Sequence, residues 1–369
     1  MNQLFRWDQM GLFLLALAAG ILPFTVSEVC AAALREGLTL CSGPLLLSLF
    51  PFLVVSRLLI QCPESDLLAL PFRLAAWGIG IRTPCAARVL CIGFLGGFAP
   101  AASAAAQAVR TGQLTAEEAD ALLPACICSG PSFVVLTVGQ SLLGSAELGV
   151  LLFASQITAN YLTAALLNRF AGVRSVKPGS AAPASPAPPR LDEILADAAI
   201  TYCKLCGFIL FFRMLAAGAG ALLPAGAGTL CSILLEVCSG CDLASRTGRW
   251  GSLLCCAALS VQGLSVLLQV RTICPPEMTL RPLYRARMLH LPLSLALFYL
   301  LLPGGEADVF STLSARVLLM RRVPPDCALL VFAVCCMAAC TLRSGIRQVE
   351  QKQMARNAGG CCINSKTLL

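Results

Sequence analysis

Apolar segments long enough to cross a bilayer recur along the chain. A transmembrane helix needs about 20 predominantly apolar residues. Segments of about this length lie at 8–26, 38–60, 121–143, 148–168, 194–218, 252–272, 285–303 and 325–342. The 369 residues are 57% hydrophobic and 12% charged, about half the charged fraction of a soluble domain. We therefore predict an all-α polytopic membrane protein with about eight transmembrane helices, and the composition argues against water-soluble enzyme folds.

Two further apolar segments, 86–109 and 226–247, carry glycines or polar residues at their centres. The first contains "GFLGGFAP" (93–100) and the second contains "LLEVCSGCDLAS" (234–245). A helix broken inside a bilayer frees backbone polar groups, which only protein or a water-filled cavity can satisfy. We interpret both segments as re-entrant hairpins. After the first, "TAEE" (115–118) predicts a capping box that begins the next helix.

The composition of residues 175–190, "SVKPGSAAPASPAPPR", predicts an extended linker. It divides the chain into a first half, 1–174, and a second half, 191–345, and a cytoplasmic tail, 346–369, follows. With both termini in the cytoplasm, most Lys and Arg residues of the loops lie on the cytoplasmic side, as the positive-inside rule requires.

The two halves share one plan. Each has an apolar helix with an arginine near its end, "LLLSLFPFLVVSRLL" or "CGFILFFRMLAA", and then a broken hairpin. A helix interrupted by a polar motif follows, "CSGPSF" (128–133) or "VQGLSV" (261–266). Because the two hairpins enter from opposite faces, we predict an inverted repeat, an arrangement common in secondary transporters.

The broken segments predict a ligand-binding site. Half-helix N-termini carry partial positive charge, glycine allows close approach, and Ser and Gln supply neutral donors and acceptors. The predicted lining from the first half is Gly96, Gly97, Ser129, Gly130 and Ser132, and the second half adds Glu236, Ser239, Gly240, Gln262, Gly263 and Ser265. These groups favour a small neutral polar solute. The alternative is that the small residues only let helices pack closely.

Four charged residues fall inside apolar segments: Arg57, Arg213, Glu236 and Asp242. Buried charges are costly in a bilayer and are usually functional or paired. Glu236 could receive a ligand hydroxyl or a coupling cation, or could pair with an arginine such as Arg246. The side chains of Arg57 and Arg213 could instead extend to the membrane surface.

The sequence indicates no enzyme, cofactor or metal centre. It has one histidine, His290, and scattered carboxylates rather than a cluster of catalytic groups. Most of the 21 cysteines lie in apolar runs and are interpreted as small hydrophobic residues, including the pairs Cys203/Cys206 and Cys238/Cys241. The net charge of +8 reflects basic cytoplasmic loops rather than a nucleic-acid surface. The predicted partners are the lipid bilayer and a small polar solute, and a homo-oligomer stays open.

Residues 37–170 resemble the sporulation integral membrane protein YlbJ family, which carries a nucleoside-recognition (gate) domain. The resemblance lies in "GLTLCSGPLLLSLFPFLVVSRLL", "GFLGGFAP", "RTGQLTAEEADALL" and "CSGPSFVVLTVGQSLLGSAELGVLL", and in the second half in "SVQGLSVLLQV" and "YRARMLH". The family's Gly-Tyr-Pro-x-Gly-Ala pattern reads "GFAPAA" (97–102) here, so the chain is identified as a divergent member.

This resemblance implies a core similar to that of concentrative nucleoside transporters, in the cell membrane of an endospore-forming bacterium. It also implies a sporulation-associated transporter or permease-like protein, needed for spore cortex formation, whose solute is nucleoside-like or a spore-envelope precursor. The alternative is a membrane scaffold of sporulation that transports nothing.

Overall fold

The computed structural model describes residues 2–61, 63–171 and 191–302. The predicted linker 175–190, the predicted span 325–342 and the tail 346–369 lie outside the described residues. Every regular element within the described ranges is a helix, which confirms the predicted all-α class.

The helices before the linker include one π-helix, a form that is rare at this length. They are α1 (Asn2–Thr25), α2 (Ser27–Ser42), α3 (Pro44–Gln61), α4 (Leu70–Gly78), α5 (Pro84–Gly96), α6 (Phe98–Arg110), α7 (Ala116–Cys126), the π-helix Ser132–Leu142 and α8 (Ala146–Ala171). Those after it are α9 (Leu191–Leu222), α10 (Ala225–Leu235), α11 (Val237–Ser245), α12 (Gly251–Val261), α13 (Gly263–Ile273) and α14 (Arg281–Leu301).

Three helical segments are long and apolar enough to cross a membrane: Ala146–Ala171, Leu191–Leu222 and Gly248–Ile273. The bent pair Phe13–Thr25 and Ser27–Ser42, whose axes differ by 108°, makes a fourth if it forms one span. These helices indicate a multi-pass, membrane-embedded protein. Among the described residues, fewer helices than the eight predicted are both long and apolar enough to span a membrane. Several apolar helices are short or broken, and the predicted span 285–303 falls on α14, which is continuous but carries arginines and a histidine. The predicted span 38–60, for example, is divided where α2 ends at Ser42 and α3 begins at Pro44.

The predicted capping box at the start of α7 is confirmed. The Thr115 hydroxyl accepts a hydrogen bond from the Glu118 amide at 3.1 Å, and the Glu118 carboxylate accepts one from the Thr115 amide at 3.2 Å. The same carboxylate accepts a hydrogen bond from the Thr83 hydroxyl at 2.6 Å. Because Thr83 directly precedes α5, Glu118 holds the beginning of α7 beside the beginning of the α5–α6 hairpin.

Small residues bring the central helices together. Helix α6 buries a run of alanines against the core of the protein. The π-helix contacts α8 through Gly139 and Gly149: a Cβ atom added at Gly139 would lie 2.4 Å from the Gly149 Cα. Close backbone approach through small residues is the usual way for helices to pack inside a bilayer.

A buried carboxylate connects the two halves of the chain. Asp120 of α7 accepts hydrogen bonds from the Thr279 amide at 2.8 Å, the Thr279 hydroxyl at 2.7 Å and the Leu280 amide at 3.2 Å. Leu280 has φ +57°, the left-handed region that is unfavourable for a residue with a side chain. Asp120 therefore stabilises the strained residue at which α14 begins.

We expect Asp120→Ala to lower the free energy of unfolding by about 2–4 kcal/mol, because it removes three hydrogen bonds to a charged group and leaves the buried Leu280 amide unpaired. The exposed Glu117, which lies on the same helix, provides the control: Glu117→Ala should change stability by less than about 0.5 kcal/mol. Chemical denaturation of the purified protein in detergent measures both. Equal stabilities of the two variants would contradict the assigned role of Asp120.

Candidate functional site

The α5–α6 hairpin and the broken helix that follows it meet at their breaks. Gly97 separates α5 from α6 with φ +82°, and a Cβ atom added there would lie 2.7 Å from the Gly130 amide nitrogen. Gly130 lies in the interval between α7 and the π-helix. Backbone therefore packs directly on backbone at this junction, and only glycine fits at position 97.

The second half contains the same kind of junction. Glu236 separates α10 from α11, and Gln262 separates α12 from α13. A Cβ atom added at Gly263, whose φ is +70°, would lie 2.9 Å from both the Glu236 amide nitrogen and the Leu235 carbonyl oxygen. The break of the α10–α11 hairpin thus contacts the break of the α12–α13 helix.

Glu236 is engaged by the backbone of its own break. Its carboxylate accepts hydrogen bonds from the Cys238 amide at 2.8 Å and the Ser239 amide at 2.7 Å, and the residue is 2% exposed. It therefore caps the N-terminus of α11, where amides have no helical partner. The alternative pairing with Arg246 is wrong, because Arg246 contacts Asp242 at 2.6 Å.

Both arginines inside apolar segments form ion pairs with carboxylates. Arg57 of α3 contacts Asp197 of α9 at 2.5 Å, and Arg213 of α9 contacts Glu36 of α2 at 2.7 Å. Both ion pairs attach α9 to an earlier helix. Asp197 and Glu36 keep about half or more of their side-chain surface exposed, so these pairs lie at the edge of the helical body.

A buried network between α8 and α14 was not predicted from the sequence. Arg287 donates to the Ile127 carbonyl at 2.5 Å and to the Ser260 carbonyl at 3.3 Å, and Asn160 donates to the same Ile127 carbonyl at 3.2 Å. Ile127 follows the last residue of α7, and Ser260 lies in the last turn of α12. Arg287 therefore lies between the C-terminal ends of the two helices that are interrupted.

Three other polar side chains extend this network. Gln156 of α8 donates to the Ser260 hydroxyl at 2.9 Å and to the Cys256 carbonyl at 3.2 Å. The hydroxyls of Ser260 and Ser294 are 2.5 Å apart. The only sequence signal for this cluster is the spacing of Arg287, His290 and Ser294, which places them on one face of α14.

Gln262 lies at the break between α12 and α13, and its side-chain carboxamide is unpaired. Its φ is +63°, it is 1% exposed, and neither its nitrogen nor its oxygen has a hydrogen-bond partner among the described residues. Ser265 and Gln269 follow on the same face of α13, and the Gln269 amide donates to the Ser265 hydroxyl at 2.9 Å. The Gln269 oxygen also has no partner in the described ranges. We call Gln262, Ser265, Gln269 and Thr272 the α13 polar stripe.

The α13 polar stripe ends at a cavity of about 170 Å³ between α3, α6, α9 and α13. Three basic side chains (Arg57, Arg110 and Lys204) and one carboxylate (Asp197) contribute to its wall. The remaining lining residues are Ser103, Ala106, Ile200, Thr201, Leu205, Phe208, Gln269, Thr272 and Ile273. None of the eleven predicted site residues belongs to this lining, and Gln269 connects the cavity to them through Ser265.

The other predicted site residues lie near the breaks, and they differ in how far their side chains are exposed to solvent. Gly96 packs against Pro100 and Phe52, and Gly240 packs against the backbone of Ile233. Ser129 is buried and Ser132 is exposed. The structure thus brings Gly97 together with Gly130 in the first half, and Gly263 together with Glu236 and Ser239 in the second half. Arg287 donates to Ile127 and Ser260, which lie near these two groups in the chain.

Among the described residues, no group of three or more His, Cys, Asp or Glu side chains could hold a metal ion. The cysteines of both CxxC pairs are free thiols. Comparisons of the chain with protein-family models, with curated proteins and with solved structures found no match.

We expect Gln262→Met to raise the free energy of unfolding by about 1–3 kcal/mol, because an unpaired buried amide costs about this much and methionine has a similar volume. Gln156→Met is the matched control: it removes an amide that has partners and should lower stability by a similar amount. Thermal unfolding in detergent compares the two. A loss of stability in Gln262→Met equal to that of the control would show that the Gln262 amide is paired.

Proposed function

We propose that the chain is a membrane permease-like protein for a small polar solute. The α13 polar stripe carries this proposal. It runs from an unpaired, buried carboxamide at a helix break to a cavity between the two halves, and unpaired buried amides are retained at a cost in stability. A polar solute or water that moves along this face would find hydrogen-bonding groups at every turn of α13.

The charge of the cavity wall bears on the class of solute. Three basic side chains and one carboxylate leave the wall with a net positive charge, and such a wall attracts negative groups. The sequence favoured a neutral polar solute such as a nucleoside. The cavity favours a polar solute that also carries a carboxylate or phosphate, which a spore-envelope precursor could supply.

The proposed architecture is an inverted repeat of two gate-like halves. Its support is the order of elements: a hairpin broken at Gly97 and a helix broken near Gly130, then a hairpin broken at Glu236 and a helix broken at Gln262. The turns that leave the two hairpins are also alike. Gly112 and Gly248 are both exposed, with φ of +69° and +66°.

We expect cysteines introduced at Gly112 and Gly248 to react with a membrane-impermeant thiol reagent from opposite sides of the membrane. Gly112 should react from the cytoplasmic side, because its hairpin is proposed to enter from there. The unaltered chain gives the background from native cysteines, and permeabilised membranes should label both sites equally. Reaction of both sites from one side would exclude the inverted repeat.

The proposed biological setting rests on the resemblance to the YlbJ family. On that basis we propose that the protein lies in the cell membrane of an endospore-forming bacterium and takes part in formation of the spore cortex. A scaffold without transport is the second candidate. The observation that favours it is the direct backbone packing at both junctions, Gly97 on Gly130 and Gly263 on Leu235, which fills the space at each break.

A ligand screen distinguishes the two functions. We expect the unfolding temperature of the purified full chain to rise with at least one of three sets of compounds: nucleosides and nucleobases, small mono- and dicarboxylates, or phosphorylated cell-wall precursors. The double variant Gln262→Ala/Gln269→Ala should lose this response, because both unpaired amides disappear.

Gln140→Ala serves as the control, since Gln140 is exposed on the π-helix, and it should respond as the unaltered chain does. An unchanged response in the double variant would place the binding site elsewhere. If no compound of the three sets stabilises the unaltered chain, the scaffold is favoured.

A further inference from the structure

Arg287 occupies a position between two helix C-termini. It is 7% exposed, and its guanidinium donates to the Ile127 carbonyl at the end of α7 and to the Ser260 carbonyl at the end of α12. Both interrupted helices therefore direct a free carbonyl at the same side chain. No salt bridge to Arg287 is found within the part of the chain that the structure describes.

The charge balance of this position is set by the backbone. The C-terminus of a helix carries roughly half of a negative elementary charge, so two such ends together present about one. A single guanidinium matches this charge, and its fork of donors can reach two carbonyl oxygens at once. A buried cation usually needs a carboxylate partner. Here the two helix ends take the place of that partner.

Transporters with broken helices commonly use such helix ends for another purpose: unwound carbonyls and half-helix C-termini coordinate the coupling Na⁺ or proton. We propose that Arg287 is a built-in cation that takes the place of a coupling cation between the two breaks. It is a positioning residue that holds the end of α7 and the end of α12 together. Asn160 assists by donating to the same Ile127 carbonyl.

This assignment has a consequence for coupling that rests on the proposed function. If the guanidinium of Arg287 fills the position between the ends of α7 and α12, a permease needs no free monovalent cation at that position. Transport should therefore not depend on Na⁺ at this position. The assignment of Arg287 itself is tested by stability alone, so it can fail or succeed separately from transport.

The experiment measures the unfolding temperature of the full chain in detergent, in chloride salts of guanidinium, sodium, potassium and choline at equal low-millimolar concentration. We expect Arg287→Ala to unfold several degrees below the unaltered chain. Guanidinium should restore a clear part of this loss, sodium or potassium a smaller part, and choline none, because choline is too large to enter between the carbonyls. The unaltered chain should show no difference among the four salts.

Ser294→Ala is the matched control, because it alters the same network without removing charge. Any destabilisation of this variant should be the same in all four salts. Arg287→Ala with the stability of the unaltered chain, or destabilised equally in all four salts, would overturn the proposal.

A second comparison applies if Arg287→Ala yields no folded protein. Arg287→Lys keeps the charge and Arg287→Gln removes it at similar size. The lysine variant should unfold at the higher temperature. A glutamine variant as stable as the lysine variant, or more stable, would show that the position does not require a cation.

Discussion

Backbone polar groups that a helix break exposes inside an apolar body must find partners, and the rest of this structure depends on that constraint. The chain meets it with charged side chains at helix ends. Glu236 binds two free amides at the beginning of α11, and Arg287 binds free carbonyls at the ends of α7 and α12. In each case the sign of the side chain is opposite to the partial charge of the helix end.

The same constraint explains why the breaks lie against one another. A free carbonyl or amide at one break is shielded from lipid when another break covers it, and glycine at positions 97 and 263 lets the backbones come within contact distance. Each half thus becomes one packed unit of hairpin and broken helix. Two contacts then join these units. Asp120 of α7 binds the backbone at the start of α14, and Arg287 of α14 binds the carbonyl at the end of α7.

The features that could be predicted from the sequence are those that depend on neighbouring residues in the chain. Glycine, proline and isolated polar residues in apolar runs identified the segments that are broken at Gly97, near Gly130, at Glu236 and at Gln262. The central glycine of the second hairpin, Gly240, nevertheless lies inside α11 rather than at the break. Thr115 and Glu118 identified a helix start. Pairing across the fold could not be read in this way. The partners Arg57–Asp197 and Arg213–Glu36 are 140 and 177 positions apart, and Arg287 reaches Ile127 over 160 positions. The sequence placed Glu236 in a broken segment, but it could not predict the partners of its carboxylate. These partners are backbone amides, which every residue type except proline carries.

The contact between Asp120 and Leu280 also bears on the order in which the protein can be built. The left-handed backbone at Leu280 is unfavourable by itself, and the carboxylate that stabilises it lies 160 positions earlier. During synthesis α7 emerges long before α14, so the acceptor is in place when the last described helix arrives. The first half can therefore act as a template on which the second half is completed, whereas a second half made alone would have to form the start of α14 without its carboxylate.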